Sequence, residues 1–158
     1  YWFEPNGESC RLSEGFPCFF HETPDGYFYG FPAMDARGVK LARHSGGVRL
    51  ALPDGAATPV KIDETDLSLV REYAGRCIPG VGNQLLEHAG CYYTVTRDEH
   101  FLLDRHPLHE EVVMVAGLSG HGFKFTSVLG EIAADLALGA KTPHDLSLFQ
   151  ANRLLENS

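Results

Sequence analysis

The sequence lacks several features that would place it in a familiar class. It has no apolar run approaching the roughly 20 residues of a membrane span, and its four cysteines form no CxxC pair. It has no excess of basic residues, because 21 Asp and Glu outnumber 13 Lys and Arg and leave a formal charge of −8. These absences argue against a membrane protein, a disulfide scaffold and a nucleic-acid-binding protein. We expect a soluble protein of a reducing compartment, the cytoplasm.

A G-x-G-x-x-G fingerprint, which is typical of dinucleotide-binding βαβ units, is also missing. The 158 residues, 44% of them hydrophobic, suffice for one filled core. The chain opens without Met on Tyr1, Trp2 and Phe3, an apolar start that is typical of a strand cut out of a larger sheet. We therefore expect a piece of a longer protein.

Short stretches rich in β-branched and aromatic residues predict strands. They cover 1–4, 17–22, 27–31, 39–44, 91–96, 101–104 and 112–116. The Thr-Pro-Asp-Gly turn at 23–26 joins the second and third strands into a hairpin. Residues 85–90 fit a brief strand or a helical turn, and 105–110 fit a loop. A loop is also expected over 45–59, with an element of uncertain type at 49–52.

Two stretches have the apolar spacing of amphipathic helices, 63–77 and 127–138. Gly139 is expected to end the second helix, because glycine readily adopts the left-handed conformation of a helix C-terminus. Residues 143–149 fit a short closing helix before a loose tail.

The helix starts carry candidate capping side chains, Thr65 or Asp66 for the first helix and Thr126 or Ser127 for the second. In the order of predicted elements, strands come first, one helix lies between them, and a strand, a loop and a helix close the chain. That order predicts an α+β fold rather than alternating βαβ units.

A glycine-rich loop follows the apolar stretch 112–116, which we interpret as a buried strand. The loop 117–122 reads Gly-Leu-Ser-Gly-His-Gly, so Ser119 and Gly120 lie at its centre. A strand, a glycine loop and a helix N-terminus together form a cradle of backbone N–H groups that favours an anion. The alternative is a plain turn.

Several side chains could carry chemistry, each with a structural alternative. Cys91 is either a reactive thiol or a small buried hydrophobic residue. The histidines His100, His106 and His109 lie among acidic residues and could ligate a metal. Their spacing matches no familiar metal motif, which favours a solvated acidic turn.

Two further groups of residues stand out in the same way. His121, between two glycines, has little cover and is placed to face a ligand, whereas Lys124, between two phenylalanines, either binds an anion or extends to water. Lys40 and His44 share one face of a predicted strand, where a solvent-facing role is the alternative. Tyr29 is also consistent with an ordinary core aromatic residue.

Four motifs resemble, in order and spacing, the carboxy-terminal half of the sarcosine oxidase and N-methyl-L-tryptophan oxidase family of flavoprotein amine oxidases. They are YGFP at 29–32, GVKLARH at 38–44, CYYTVTRDEHFLLD at 91–104 and AGLSGHGFKF at 116–125. The resemblance runs through nearly the whole chain.

The resemblance implies roles for individual residues. Cys91 matches the cysteine bonded through sulfur to the 8α carbon of FAD, and Lys40 matches the lysine near flavin N5, where oxygen is reduced. The other matched positions are Tyr29 and His44 as catalytic residues, Tyr29, His121 and Lys124 as substrate-binding residues, and Ser119, Gly120, His121 and Gly122 as the cofactor loop.

The resemblance also implies a domain organisation and an activity. Residues 1–90 would form the largely antiparallel sheet of a substrate domain with one helix, and 91–158 the flavin-attachment strand and the final strand, loop and helix of an FAD domain. The dinucleotide-fingerprint half is absent, so this chain alone is expected to be inactive. The whole protein would oxidise an N-methyl amino acid with O2 to an amine, an aldehyde and hydrogen peroxide; the alternative is a non-catalytic binding or assembly domain without flavin.

Overall fold

The computed structural model describes residues 1–44, 46–49 and 61–155. The chain divides into two compact units, Tyr1–Gly90 and Cys91–Ser158. The predicted loop over 45–59 and its element at 49–52 lie largely outside the described residues. Assignment of the units to a substrate domain and an FAD domain stays a prediction.

The first unit is built on a five-stranded sheet. Its strands are β1 (Trp2–Pro5), β2 (Phe19–Thr23), β3 (Gly26–Phe31), β4 (Val39–Arg43) and β5 (Val81–Glu87). They lie in the order β2-β3-β4-β1-β5, and every neighbouring pair is antiparallel. The predicted hairpin of β2 and β3 is confirmed, because Thr23 pairs with Gly26 across a two-residue turn.

One face of this sheet packs on helix α1 (Glu64–Cys77). Alternate side chains of a strand point to opposite faces, so residues two apart share a face. The buried set consists of Phe3, Phe28, Val39 and Leu41 from the sheet with Leu67, Val70, Tyr73 and Ala74 from the helix. The Phe28 and Tyr73 rings stack with centroids 4.2 Å apart and an interplanar angle of 1°. This contact joins strand β3 to helix α1.

Helix α1 starts one residue later than predicted and has a different cap. The Asp63 carboxylate accepts hydrogen bonds from the backbone N–H groups of Thr65 and Asp66, at 2.9 and 3.1 Å. Expecting Thr65 or Asp66 to be the cap was therefore wrong. An N-cap side chain serves the N–H groups two and three residues ahead, so the capping residue precedes the two residues proposed for that role.

The second unit is a β-hairpin covered by a helix. Strands β6 (Leu102–His106) and β7 (His109–Ala116) pair antiparallel, and helix α2 (Thr126–Leu138) packs on them. The small core consists of Phe101, Leu103, Leu129 and Ile132. A 3₁₀ turn (Ser147–Phe149) and a short helix α3 (Asn152–Leu155) close the described chain.

The ends of α2 agree only in part with the prediction. Gly139 ends the helix with φ of 70°, as expected. The start differs, because a 3₁₀ turn (Phe123–Phe125) leads into the helix and no side chain caps its N-terminus. Thr126 instead donates its hydroxyl hydrogen back to the carbonyl of Phe123 at 2.6 Å.

The observed strands differ from the prediction at three places. The segment 91–96 forms no strand. The strand alternative for 85–90 is correct for 85–87, but β5 begins earlier, at Val81. The loop expected over 105–110 shrinks to a tight turn, because β6 and β7 extend to His106 and His109.

The burial predicted for the strand at 112–116 is also wrong. Val112 and Val115 are 45% and 40% exposed. A two-stranded sheet with one helix packed on it cannot bury the alternating side chains of both faces.

The α+β class with largely antiparallel sheets is confirmed. Of the helices that the structure describes, none is long and apolar enough to cross a membrane.

The stacked core pair gives the first prediction. Phe28→Ala is expected to lower the free energy of unfolding by about 3–5 kcal/mol, because it removes a buried ring and leaves a cavity against Tyr73. Chemical denaturation followed by circular dichroism measures the change. Phe20→Ala is the matched control, since Phe20 lies on the neighbouring strand with 59% of its surface exposed. An equal loss in both variants would contradict this account of the core.

Candidate functional site

The sheet face opposite α1 carries the residues predicted for the first unit. Trp2 and Phe31 both pair with Lys40, and Tyr29 pairs with Ala42. Directly paired residues of antiparallel strands point to the same face. Tyr29 and Lys40 therefore share a face with Trp2 and Phe31, away from the core.

Aromatic rings surround the Lys40 ammonium on this face. Its Nζ lies 5.3 Å from the ring centroid of Trp2, 5.7 Å from that of Tyr29 and 5.2 Å from that of Phe31. All three distances are within the range in which a ring face attracts a cation. Lys40 is half-buried among these rings, on the face that points away from the core.

His44 lies at the other end of the same aromatic group. Its ring meets Phe20 edge-on at 5.5 Å and Tyr29 at 6.4 Å between centroids. Tyr29 therefore stands between Lys40 and His44 and is half-buried on the open face, not in the core. The structure brings the three predicted residues of this unit together.

In the second unit, the segment 91–96 runs along the glycine loop. The Ser119 N–H donates to the Thr94 carbonyl at 3.1 Å, and the Thr96 N–H donates to the Ser119 hydroxyl oxygen at 3.4 Å. Gly120 has φ of 77°, and a Cβ on it would come within 2.4 Å of the Tyr93 ring. Only glycine meets both conditions, so the loop lies flat beneath Tyr93.

Cys91, at the start of this segment, is a free thiol on the surface. The buried alternative for it is therefore wrong. Burial raises the pKa of the Tyr93 phenol, and the negative charge of a Cys91 thiolate raises it further. Cys91 is thus close enough to Tyr93 for an electrostatic interaction, although Cys91 itself is exposed.

The predicted anion cradle differs from the observed loop. The His121 N–H donates to the Leu118 carbonyl at 3.0 Å, and the Phe125 N–H donates to the Gly122 carbonyl at 2.9 Å. A Cβ on Gly122 would meet the Leu118 side chain at 2.6 Å. The loop uses these donors and this space for its own folding, so it is not the fully open cradle that the glycine pattern suggested.

The two predicted ligand-facing side chains of the loop have neighbours within the chain. The His121 ring lies 4.9 Å from that of Phe101, and its Nε2 is 3.2 Å from the Glu99 carbonyl oxygen. Lys124 is exposed on the 3₁₀ turn, with its Nζ 5.5 Å from the Phe125 centroid. The expectation of little cover for His121 was wrong, whereas Lys124 remains accessible.

An arginine that the sequence reasoning missed holds the turn behind His121. Arg153 donates to the Asp98 carboxylate at 2.7 Å and to the carbonyls of His100 and Phe101 at 2.8 Å each. This contact spans more than 50 residues and falls in the tail that was expected to be loose. No local pattern could have revealed it, because the partners come together only in the folded unit.

The alternative of a histidine metal site finds no support in the geometry. The rings of His106 and His109 lie 5.0 Å apart across the hairpin turn, with Glu111 at 3.7 Å from His109. Within residues 1–44, 46–49 and 61–155, no group of three or more potential ligand side chains could hold a metal ion.

Comparison with known sequences places the chain in a class of protein. The sequence model of the family described as "FAD dependent oxidoreductase" matches residues 1–136. The chain belongs to this FAD-dependent family.

Within this family, the chain is similar to oxidases of two names. The chain is 44% identical over 152 residues to a monomeric sarcosine oxidase of Bacillus sp. (strain B-0618), covering 96% of this chain and 39% of that protein. It is 41% identical to a monomeric sarcosine oxidase of Streptomyces avermitilis, covering 98% of the chain and 41% of the relative. An N-methyl-L-tryptophan oxidase of Salmonella typhi is 39% identical, with 96% and 40% covered. The resemblance seen in the motifs is confirmed, and the chain spans about two fifths of the length of these relatives.

The Arg153 contact gives a prediction about pH. The hydrogen bond from Arg153 lowers the pKa of Asp98 well below its usual range. A carboxyl group whose pKa is lower in the folded state than in the unfolded state stabilises the fold at any pH above its unfolded pKa, about 3.9. This stabilisation is lost progressively as the pH falls from that value through the folded pKa. Asp98→Asn should therefore reduce amide protection of Ser119 and His121 near neutral pH.

Hydrogen exchange corrected for intrinsic rates measures that protection. We expect the difference between Asp98→Asn and the parent to shrink below about pH 4, because the Asp98 carboxylate of the opened state then takes up a proton while the Arg153-bound carboxylate stays ionised. Asp25→Asn is the control, since Asp25 pairs with Arg76 at 2.6 Å in the other unit. A difference that stays constant with pH would contradict the role of the Asp98 charge.

Proposed function

We propose that this chain is the carboxy-terminal part of a cytoplasmic flavin-dependent oxidase that acts on N-methyl amino acids of the sarcosine or N-methyl-L-tryptophan type. The match of nearly the whole chain to oxidases of both names carries the proposal. The products would be an amine, an aldehyde and hydrogen peroxide. The segment that supplies the dinucleotide fingerprint would be its obligatory partner, and without that segment the chain would be inactive.

The residues present fit a covalently held FAD. Cys91 offers an exposed free thiol, the group that a thioether to the flavin 8α carbon requires. Forming that bond would remove one hydrogen from the thiol and one from the 8α methyl group, and O2 would accept both, with two electrons, as hydrogen peroxide. The adjoining loop, with Ser119, Gly120, His121 and Gly122, would line the same cofactor.

When bound, FAD would supply the redox chemistry, that of a hydride acceptor which is reoxidised by O2. The chain's residues bind and polarise. Lys40 places a fixed positive charge where negative charge develops on oxygen, which favours the transition state with little reorganisation. Lys124 would bind the substrate carboxylate as a point charge, supported by His121. Tyr29 and His44, side by side, would border the reacting amine.

Covalent attachment gives a direct test. In the protein containing both the dinucleotide-binding segment and this chain, flavin should stay with the polypeptide after acid denaturation, and intact-mass measurement should show the adduct. Cys91→Ala should release the flavin. Cys18→Ala is the matched control, because Cys18 is also a free, exposed cysteine.

Two results would count against the proposal. Flavin retained by the Cys91→Ala protein would remove that residue from its role. A protein that stays colourless after incubation with FAD would favour the non-catalytic binding or assembly domain instead.

The oxygen site has its own test. Lys40→Met should slow reoxidation of the reduced flavin by O2 far more than reduction by substrate, by roughly 100-fold or more if the charge stabilises the transition state as oxyanion-type donors do. Stopped-flow absorbance follows the two half-reactions separately. Equal slowing of both would contradict the assignment of Lys40 to oxygen.

A further inference from the structure

We propose that Trp2 and Phe31 are positioning residues that, with Tyr29, form an aromatic cage fixing the Lys40 ammonium without neutralising it. The inference rests on the proposed function, because it concerns how the oxygen-site charge is held. It adds to that function two residues that do not themselves react.

Strand register builds the cage. Lys40 lies on β4 between β3 and β1, and it pairs directly with Phe31 on one side and Trp2 on the other. Residues paired in this way have Cβ atoms about 4.5–5.5 Å apart and side chains on one face. The lysine stem therefore rises between two rings, and Tyr29, two residues from Phe31, supplies the third.

The rings restrict a side chain that is otherwise flexible. Lysine has a four-carbon stem and samples many rotamers, so a charge at its tip is poorly localised without a partner. Three ring centroids at 5.2–5.7 Å give attraction from several directions.

The choice of rings over a carboxylate has a chemical consequence. In the described part of the chain Lys40 forms no ion pair, although Asp35 lines the same hollow. Arg37 donates to Asp35 Oδ2 at 2.7 Å and to Oδ1 at 3.1 Å, and these hydrogen bonds lower the pKa of Asp35 to about 2. The nearby carboxylate is thus already paired with another cation, and the positive charge of Lys40 remains available to an anion.

Arg37 also contacts one ring of the cage, that of Trp2. Its guanidinium carbon lies 5.9 Å from the Trp2 ring centroid. Trp2 is therefore in contact range of both cations, and its loss should disturb the cage more than the loss of Phe31.

The test compares half-reactions of the complete flavin-loaded oxidase by stopped-flow absorbance, with Lys40→Met as reference. Trp2→Leu and Phe31→Leu should each slow reoxidation by O2 about 3- to 30-fold, the range that corresponds to loss of a cation–π contact, and leave reduction by substrate within about twofold. Trp2→Phe, which keeps a ring, should restore most of the rate. Tyr27→Leu is the matched control, since Tyr27 is an exposed aromatic residue whose ring stacks on Phe20.

A double variant separates positioning from a structural role. Trp2→Leu added to Lys40→Met should slow reoxidation no further, because the charge that Trp2 positions is gone. The inference is overturned if Trp2→Leu and Phe31→Leu reoxidise at the parent rate, or if Trp2→Leu slows the Lys40→Met protein as much as it slows the parent.

Failure of the oxygen-site role of Lys40 can be distinguished from failure of the cage alone. The first appears in Lys40→Met alone, as reoxidation at the parent rate, and this result would overturn the cage as well. Failure of the cage alone appears when Lys40→Met is slow while the ring variants are not.

Discussion

The structure depends on the packing of one helix against one face of the five-stranded sheet. The stack of Phe28 on Tyr73 is part of that contact, and side chains alternate between the two faces along each strand. Each strand that sends Phe28 or Leu41 inward must send Tyr29 or Lys40 outward. Burial of Phe28, Leu41 and the other inward side chains therefore determines which face of the sheet carries each candidate catalytic residue of the first unit.

In the second unit the candidate residues lie on irregular backbone, because the segment 91–96 and the glycine loop 117–122 are held by contacts with each other. Thr94 and Thr96 bind Ser119, and Tyr93 covers Gly120. Arg153 closes the arrangement from the far end of the chain, through backbone carbonyls and one carboxylate. Cys91, which is exposed, directly precedes this region, whose contacts combine backbone groups with the side chains of Ser119, Tyr93 and Arg153.

Local patterns predicted the elements whose stability is local. The sequence correctly predicted the β2–β3 hairpin from its Thr-Pro-Asp-Gly turn, the two helices from their apolar spacing, and the end of α2 from Gly139. These predictions succeeded because turn geometry and helix periodicity depend on residues close in sequence. The α+β class followed from their order. The strand expected at 91–96 failed because its residues suit a strand by composition, yet their partners are loop atoms. Propensity cannot report which backbone will lie alongside.

The sequence named candidate site residues whose roles stay predictions, and it did not reveal their surroundings. The motif resemblance pointed to Tyr29, Lys40 and His44, which the fold brings together. It said nothing of Trp2, which is remote in sequence and meets Lys40 only through the pairing of β1 with β4. The contacts of Arg153, and that of the His121 ring with the Glu99 carbonyl, were missed for the same reason, since contacts between residues far apart in sequence produce no local pattern.

The position of Gly120 under the Tyr93 ring limits how this part of the chain can vary. A side chain at 120 needs both a left-handed backbone and room that the phenol ring already fills. Single replacements there meet two obstacles at once, and removing the ring clears only one of them. Asn or Asp combined with a small residue at 93 is the least costly route, because these two tolerate positive φ better than other side chains. Variation at the two positions is thus coupled, and libraries that randomise them one at a time would miss the combinations that fold.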